Sequence, residues 1–365
     1  MEATWGTLTE DDVPRLAALL TAIEAADELG ETHTEADVRE RLRNPLLDLA
    51  DGTLAARVGD RIVAYGYLPV KQNATDTHPM VVGGGVHPEF RRQGYGTRIL
   101  EWAVEQAPKL HERRFPGVGG LELHVGADDR THDRAALAMS LGFVKSRSFL
   151  DMEADLSGPL PQVNVPEGIE IVPWSPELDA GARAVRNESF SDHWGSVPHT
   201  GESWRHYVTG RHFLPQGSFL ALAGRDRAGD GQDRAGDGQD RAGDGQDRAG
   251  DGRGPARDGR DRASVGPDPV PDGQGVVGIV MAQEHTAPNG SPYVWIAIVG
   301  TLAGWRGRGV AGALLGHALR FYRQQGYATV ELGVDADNGT GAVRVYEKAG
   351  FHATNRGSVY VRKII

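Results

Sequence analysis

Apolar residues recur along this chain with two periods that alternate. Leu16, Leu19, Leu20 and Ile23 have the spacing of one helix face, which predicts a helix from Val13, with a strand at 4–8 before it and a short helix at 35–42 after it. Apolar and β-branched runs then predict strands at 53–58, 61–69 and 80–86, with the first two joined by the turn Gly59-Asp60. A helix at 97–107, a strand at 120–125, a helix at 134–140 and terminal strands over 144–156 follow. The order then repeats: strand 168–172, helix 178–188, strand-like runs 217–224 and 275–283, strand 294–302, helix 311–325, strand 329–334, helix 341–348 and strand 358–364. This pattern predicts an α+β protein of two tandem units, 1–157 and 158–365, each a mostly antiparallel mixed sheet flanked by helices.

One segment breaks the repeat. "RAGDGQD" occurs three times in register from 227 to 247, and 225–272 carries nine Arg and twelve Asp with almost no large apolar group. Such a composition cannot repay the entropy of ordering, so it reads as a disordered insertion. The runs on either side would pair as a hairpin, whose tip tolerates a long insertion because closure entropy grows only logarithmically with length.

The formal charge of −11 argues against a general nucleic-acid or anionic-membrane binder. No window reaches the roughly 18 apolar residues of a membrane span. The acidic start "MEATWGTLTEDD" lacks a secretory apolar core, so a cytoplasmic location is expected. The absence of cysteine excludes disulfides, thiolate metal sites and a cysteinyl acyl-enzyme. With no HExxH or comparable spacing, no metal is expected.

Candidate chemistry lies in two glycine-arginine loops, "EFRRQGYGT" (89–97) and "GWRGRGVAG" (304–312), each placed after a predicted strand and before a predicted helix. A glycine-rich turn at a helix start presents unpaired backbone N–H groups and the positive end of the helix dipole, which makes an anion site. Arg306 and Arg308 would add charge at its rim. Neither loop carries the GK[ST] of a Walker phosphate loop or the context of a dinucleotide fingerprint.

These loops resemble the [RQ]xxGx[GA] signature of the GCN5-related N-acetyltransferase (GNAT) superfamily, matched by Arg91, Gly94 and Gly96 and again by Arg306, Gly309 and Ala311. "VDADNGTGAVRVYEKAGF" (334–351) is similar to the family's later motif, and the tandem layout resembles that of mycothiol synthases. The resemblance implies an acetyl-coenzyme A donor and a small-molecule amine acceptor, without nucleic acid or membrane. Its coenzyme A contacts would be Thr301, Leu302, Arg306, Gly307, Arg308, Gly309, Val310, Ala311, Gly312 and Asn338 in the second unit. In the first they would be Val86, Arg91, Arg92, Gln93, Gly94, Tyr95, Gly96 and Thr97, with "VVGGGV" (81–86) as exposed backbone beside the donor.

Aligning Gly142-Phe143 with Gly350-Phe351 sets Ala138 opposite Tyr346, so only the second unit keeps the tyrosine that in the family hydrogen-bonds the departing thiolate. The second unit is therefore expected to be catalytic and the first non-catalytic. The resemblance implies direct attack by the amine in a ternary complex, with backbone N–H near Leu302 polarising the thioester carbonyl. Glu331 and Glu284 are candidate bases, with His285 behind them. Asp192, His193, Trp194 and His199 are candidates to orient the acceptor, against the plainer alternative of a loop packed by Trp194 and Trp204. His124 and His317 read as surface residues. Three alternatives stay open at this point: an amine acetyltransferase, a non-catalytic acyl-coenzyme A binding or sensing protein, and a mycothiol synthase-like acetylation of a cysteinyl amine.

Overall fold

The computed structural model describes residues 2–71, 73, 76–162, 164–224, 274–337 and 341–365. The predicted insertion at 225–272 and Asn338 lie outside the described residues.

The first half runs β1 (Thr4–Gly6), α1 (Val13–Asp27), α2 (Glu35–Leu42), β2 (Thr53–Val58), β3 (Arg61–Tyr67), β4 (Thr77–Val81), β5 (Gly83–Val86), α3 (Tyr95–Arg114), β6 (Gly120–Asp128), α4 (His132–Ser140) and β7 (Val144–Asp155). The second runs β8 (Ile169–Pro173), α5 (Asp179–Ser189), α6 (Gly201–Val208), β9 (Phe219–Gly224), β10 (Gln274–Thr286), β11 (Pro292–Thr301), α7 (Val310–Gln324), β12 (Thr329–Asp335), α8 (Ala342–Lys348) and β13 (His352–Lys363). The hairpin expected across the insertion is β9 with β10, paired from Gly224–Gln274 to Phe219–Val280.

Local chemistry sets several ends. Thr34 and Asp37 form a reciprocal capping box at α2. Thr200 caps α6, a helix absent from the pattern reading, by accepting from the Ser203 amide. α3 passes the predicted end at 107 and continues through Pro108, because Ala103, Ala107 and Leu110 keep one buried face on both sides of the proline.

Two sheets result, β1-β2-β3-β5 and β4-β6-β13-β7-β12-β11-β10-β9-β8. The single strand predicted at 80–86 is two. Thr77–Val81 lies parallel to β6, the chain turns away at Val82, and Gly83–Val86 pairs antiparallel with β3.

The halves also exchange their last strands. β7 pairs with β12 of the second half, β13 pairs with β6 of the first, and β7 and β13 lie side by side. Met152, Ala154 and Leu156 are thereby buried in the core under α7 and α8, and Tyr360 of β13 in the core under α3 and α4. Each buried large apolar side chain contributes roughly 1.5–3 kcal/mol, so the exchange joins the halves by core packing as well as by ladder hydrogen bonds.

Candidate active site

The two glycine-arginine loops adopt one backbone. Gly94 and Gly309, the residues before α3 and α7, are left-handed at φ 85° and 84°, and Arg92 and Gly307 share a second left-handed position at φ 63° and 74°. Each loop is pinned to the end of its strand by the first arginine, Arg91 Nε donating to the Val86 carbonyl and Arg306 Nε to that of Thr301, both at 3.2 Å. The amides of Gly94, Tyr95, Gly96 and Thr97, and of Gly309, Val310, Ala311 and Gly312, meet no protein acceptor among the described residues. Each set therefore forms a cup of donors at the positive end of a long helix, suited to a diphosphate.

Charge separates the two cups. In the first, Asp27 takes Arg91 in a bidentate pair at 2.7 and 2.9 Å, Arg92 lies 3.4 Å from Asp133, and Gln93 is neutral. In the second, Arg306 donates to the Ser189 carbonyl at 3.1 Å and Arg308 covers the Trp305 ring at 5.0 Å. Neither has a carboxylate partner among the described residues. Arg306 is thus a loop anchor that keeps its charge, rather than only the rim cation expected from sequence.

Beside each cup two parallel strands part. In the first half β5 leaves β6 and opens a cleft of about 720 Å³, lined by Gly83–Val86, the loop, Arg130 and Arg134. The glycines are demanded by β3: a Cβ on Gly83 would lie 2.1 Å from the Tyr67 ring, and one on Gly84 2.4 Å from the Tyr65 carbonyl. In the second half β11 pairs with β12 only at Val294–Ile296, then bulges at Ala297 and runs on without a β12 partner. At that open end the hydroxyls of Thr301 and Ser189 are buried without partners. An unpaired strand edge, orphaned hydroxyls and an empty-handed amide cup together fit the phosphates and amide-bearing arm of coenzyme A. One expected contact does not fit. The Leu302 amide donates to the Val277 carbonyl at 3.0 Å and is not free to polarise a thioester carbonyl, whereas the β11 edge over 297–301 has no β12 partner.

Tyr346 sits on α8 against Phe351, ring centroids 6.1 Å apart, and is 9% exposed. Burial pushes its phenol up to about 12. Glu331 is half-buried on β12, opposite Glu153 and beside Trp295. Burial raises its carboxyl, and the neighbouring Glu153 and Asp151 raise it further. Glu284 is not brought to the same place. It opposes Val294, one position from the Gln283–Trp295 pair, so it projects from the other face, where it accepts from the Tyr327 hydroxyl. His285 stacks between His212 and Tyr293, and burial lowers its pKa to about 4.

The segment after α5 reaches into the first half. Trp194 stacks on His124 of β6 at 4.7 Å with the rings 3° from parallel, and Arg147 covers it at 5.7 Å. Lys71 Nζ donates to the Gly195 carbonyl at 2.7 Å and Asn73 Nδ2 to that of Pro198 at 2.9 Å. Burial, with Arg186 nearby, lowers Lys71 to about 8. Asp192 is exposed, and His193 Nδ1 approaches the Trp194 carbonyl at 3.1 Å. Trp204 is core, donating to Asp179 at 2.7 Å. His124, expected at the surface, is buried under Trp194, whereas His317 is exposed as expected, with its ring edge-on to Phe219. Lys71, Asn73 and His124 are contacts that sequence reading missed, since their partners lie far along the chain.

The sequence profile of the acetyltransferase (GNAT) family matches residues 18–143 and 249–351. A mycothiol acetyltransferase of Streptosporangium roseum is 34% identical over 361 residues, 95% of this chain and 94% of that protein. Another, of Rhodococcus erythropolis, is 26% identical over 84% of this chain and 83% of its own length. Among solved structures, a GCN5-related N-acetyltransferase from Sphaerobacter thermophilus superposes with a TM-score of 0.68 at 24% identity, covering 99% of this chain and 96% of that one. A tandem GNAT protein from the clavulanic acid biosynthesis pathway superposes at 0.64 and 17% identity, covering 100% and 99%.

Proposed function

Because the chain belongs to the acetyltransferase (GNAT) family and is an acyltransferase, we propose that it transfers an acetyl group from coenzyme A to a small-molecule amine, and that the second half performs the transfer. The observation that carries this is the cup of amides at 309–312, free of protein acceptors and flanked by two guanidinium groups without carboxylate partners among the described residues.

Coenzyme A supplies the activated acyl thioester. The chain's own residues do the rest. Gly309 to Gly312 and the Arg306–Arg308 segment grip phosphate oxygens, and the unpaired edge of β11 aligns the donor and polarises its carbonyl. Glu331, on the face of the sheet covered by α5 and α6, takes the proton of the incoming ammonium; its raised carboxyl suits that role better than an ordinary one. Tyr346 approaches from the opposite face. With its phenol near 12 against a thiol near 8.5, full proton donation is uphill by roughly 5 kcal/mol, so Tyr346 acts as a hydrogen-bond donor to the departing sulfur.

The first half supports a second reading for itself alone. Its cleft is open and its amide cup free, but Ala138 stands where Tyr346 does in the second half, so it binds the donor without turning it over. The names of the mycothiol acetyltransferase relatives make a cysteinyl amine the first acceptor to try.

The test follows thiol release from acetyl-coenzyme A across a panel of amines, cysteinyl amines first. Tyr346→Phe is expected to lower kcat about 10- to 100-fold, with donor affinity unchanged, as loss of an interaction made only in the transition state does. Unchanged kcat would remove Tyr346 from the mechanism, and no release with any amine would favour a binding protein.

A further inference from the structure

A second cavity, of about 300 Å³, lies between α2 of the first half and α6 of the second. Glu40 and Leu46 line it from one side; His199, Tyr207 and Gln283 line it from the other. Three observations mark it as a binding site. The Tyr207 hydroxyl is buried and has no hydrogen-bond partner among the described residues, although buried tyrosine hydroxyls ordinarily find one. Among the described residues no Lys or Arg lines the cavity; besides Tyr207, its titratable groups are His199, His206, His212 and one carboxylate, Glu40, which already accepts from the Arg211 amide at 3.1 Å. Burial, helped by nearby cations, lowers His199 to about 4, so at neutral pH its imidazole is uncharged.

One lining residue, Gln283, lies on the sheet face of the proposed chemistry. Gln283 opposes Trp295, which lies beside Glu331, so all three share one sheet face. Ala297, where β11 bulges and parts from β12, is two residues beyond Trp295, about 7 Å along the strand. An amine at the bulge with a chain of some six carbons would put its far end among these side chains.

We propose that this cavity is the distal acceptor subsite and takes an uncharged hydrogen-bonding group, a hydroxyl or an amide, which Tyr207 contacts directly. The inference rests on the acyl-transfer reading above. The hydroxyl, amide and imidazole groups of the lining hydrogen-bond such a group, whereas a carboxylate or phosphate there lies beside Glu40, and the nearest cations, Arg186, Lys71 and Arg183, stand behind His199 outside the lining. Tyr207 is held by Trp204, Phe213 and His199 rings at 5.5 to 6.4 Å, so Tyr207→Phe removes the hydroxyl and keeps the packing.

The experiment compares 6-amino-1-hexanol, hexylamine and 6-aminohexanoate as acceptors. In the unaltered protein kcat/KM should fall in that order, the alcohol leading the alkyl amine by about tenfold, the factor one neutral hydrogen bond supplies. Tyr207→Phe should level the first two without changing the rate on hexylamine or the KM for acetyl-coenzyme A. Equal rates in the unaltered protein, preference for the carboxylate, or an alcohol advantage that survives in Tyr207→Phe would each overturn the assignment. If none of the three is acetylated, calorimetry with 6-amino-1-hexanol decides: weaker binding to Tyr207→Phe supports the subsite, and equal or absent binding overturns it. Failure to bind acetyl-coenzyme A would instead break the acyl-transfer reading, so the two failures are told apart.

Discussion

The two halves build the same loop and surround it with different charges. Both hold a left-handed glycine before a long helix and anchor the loop by an arginine on the preceding strand carbonyl. The first half pairs its arginines with Asp27 and Asp133 and carries Ala138 on α4; the second leaves Arg306 and Arg308 without carboxylate partners among the described residues and carries Tyr346. Backbone geometry is what a duplicated fold retains. Electrostatics and one side chain are what set the two cradles apart.

The largest test of that contrast is a matched pair of substitutions. Gly309→Asp places a side chain at φ 84°, where it is strained, and a carboxylate in the phosphate cup, so turnover should fall about 100-fold or more. Gly94→Asp carries the same strain at φ 85° but should leave turnover within about twofold, while removing one of two bound donors in a calorimetric titration. The opposite outcome would reverse the assignment of the working half.

A smaller effect is expected where the halves touch. Lys71→Met removes the first half's hold on the Gly195 carbonyl, and the amine KM should rise up to about tenfold while the KM for acetyl-coenzyme A stays put. A parallel rise in both constants would mean that the contact supports the whole fold.

The smallest effect is thermodynamic and belongs to the first half. His78 and His111 are buried with their Nδ1 atoms 3.0 Å apart, and burial, then His111, lowers His78 to about 4. The unfolded chain binds this proton near pH 6.5 and the folded chain only near 4, so stability falls as pH drops through that window. The loss from this group is about 1 kcal/mol by about pH 5.5. Thermal melts of His78→Leu should show a shallower pH slope than the unaltered protein, and equal slopes would place the acid sensitivity elsewhere.

Much of this was legible in sequence because it is local. Glycine-arginine loops and the apolar face of Leu16, Leu19 and Leu20 state their structure within a few residues. Strand parity within one run is equally local, but which face meets a partner is not. Glu284 and Glu331 were therefore equal candidates until register put them on opposite sides. The strand exchange was hidden because Leu150, Met152 and Ala154 offer the same alternation to either half's sheet. His124 resembled a surface residue because the ring that covers it lies seventy residues on in the chain.

The crossing of β7 and β13 sets an order on biosynthesis. Until the ribosome has passed residue 363, β6 lacks a neighbour it will later hold and β7 waits with one flank bare. The first half therefore matures last, although it is translated first. A truncation anywhere before β13 parts the longer sheet between β6 and β7 and does not release one intact module.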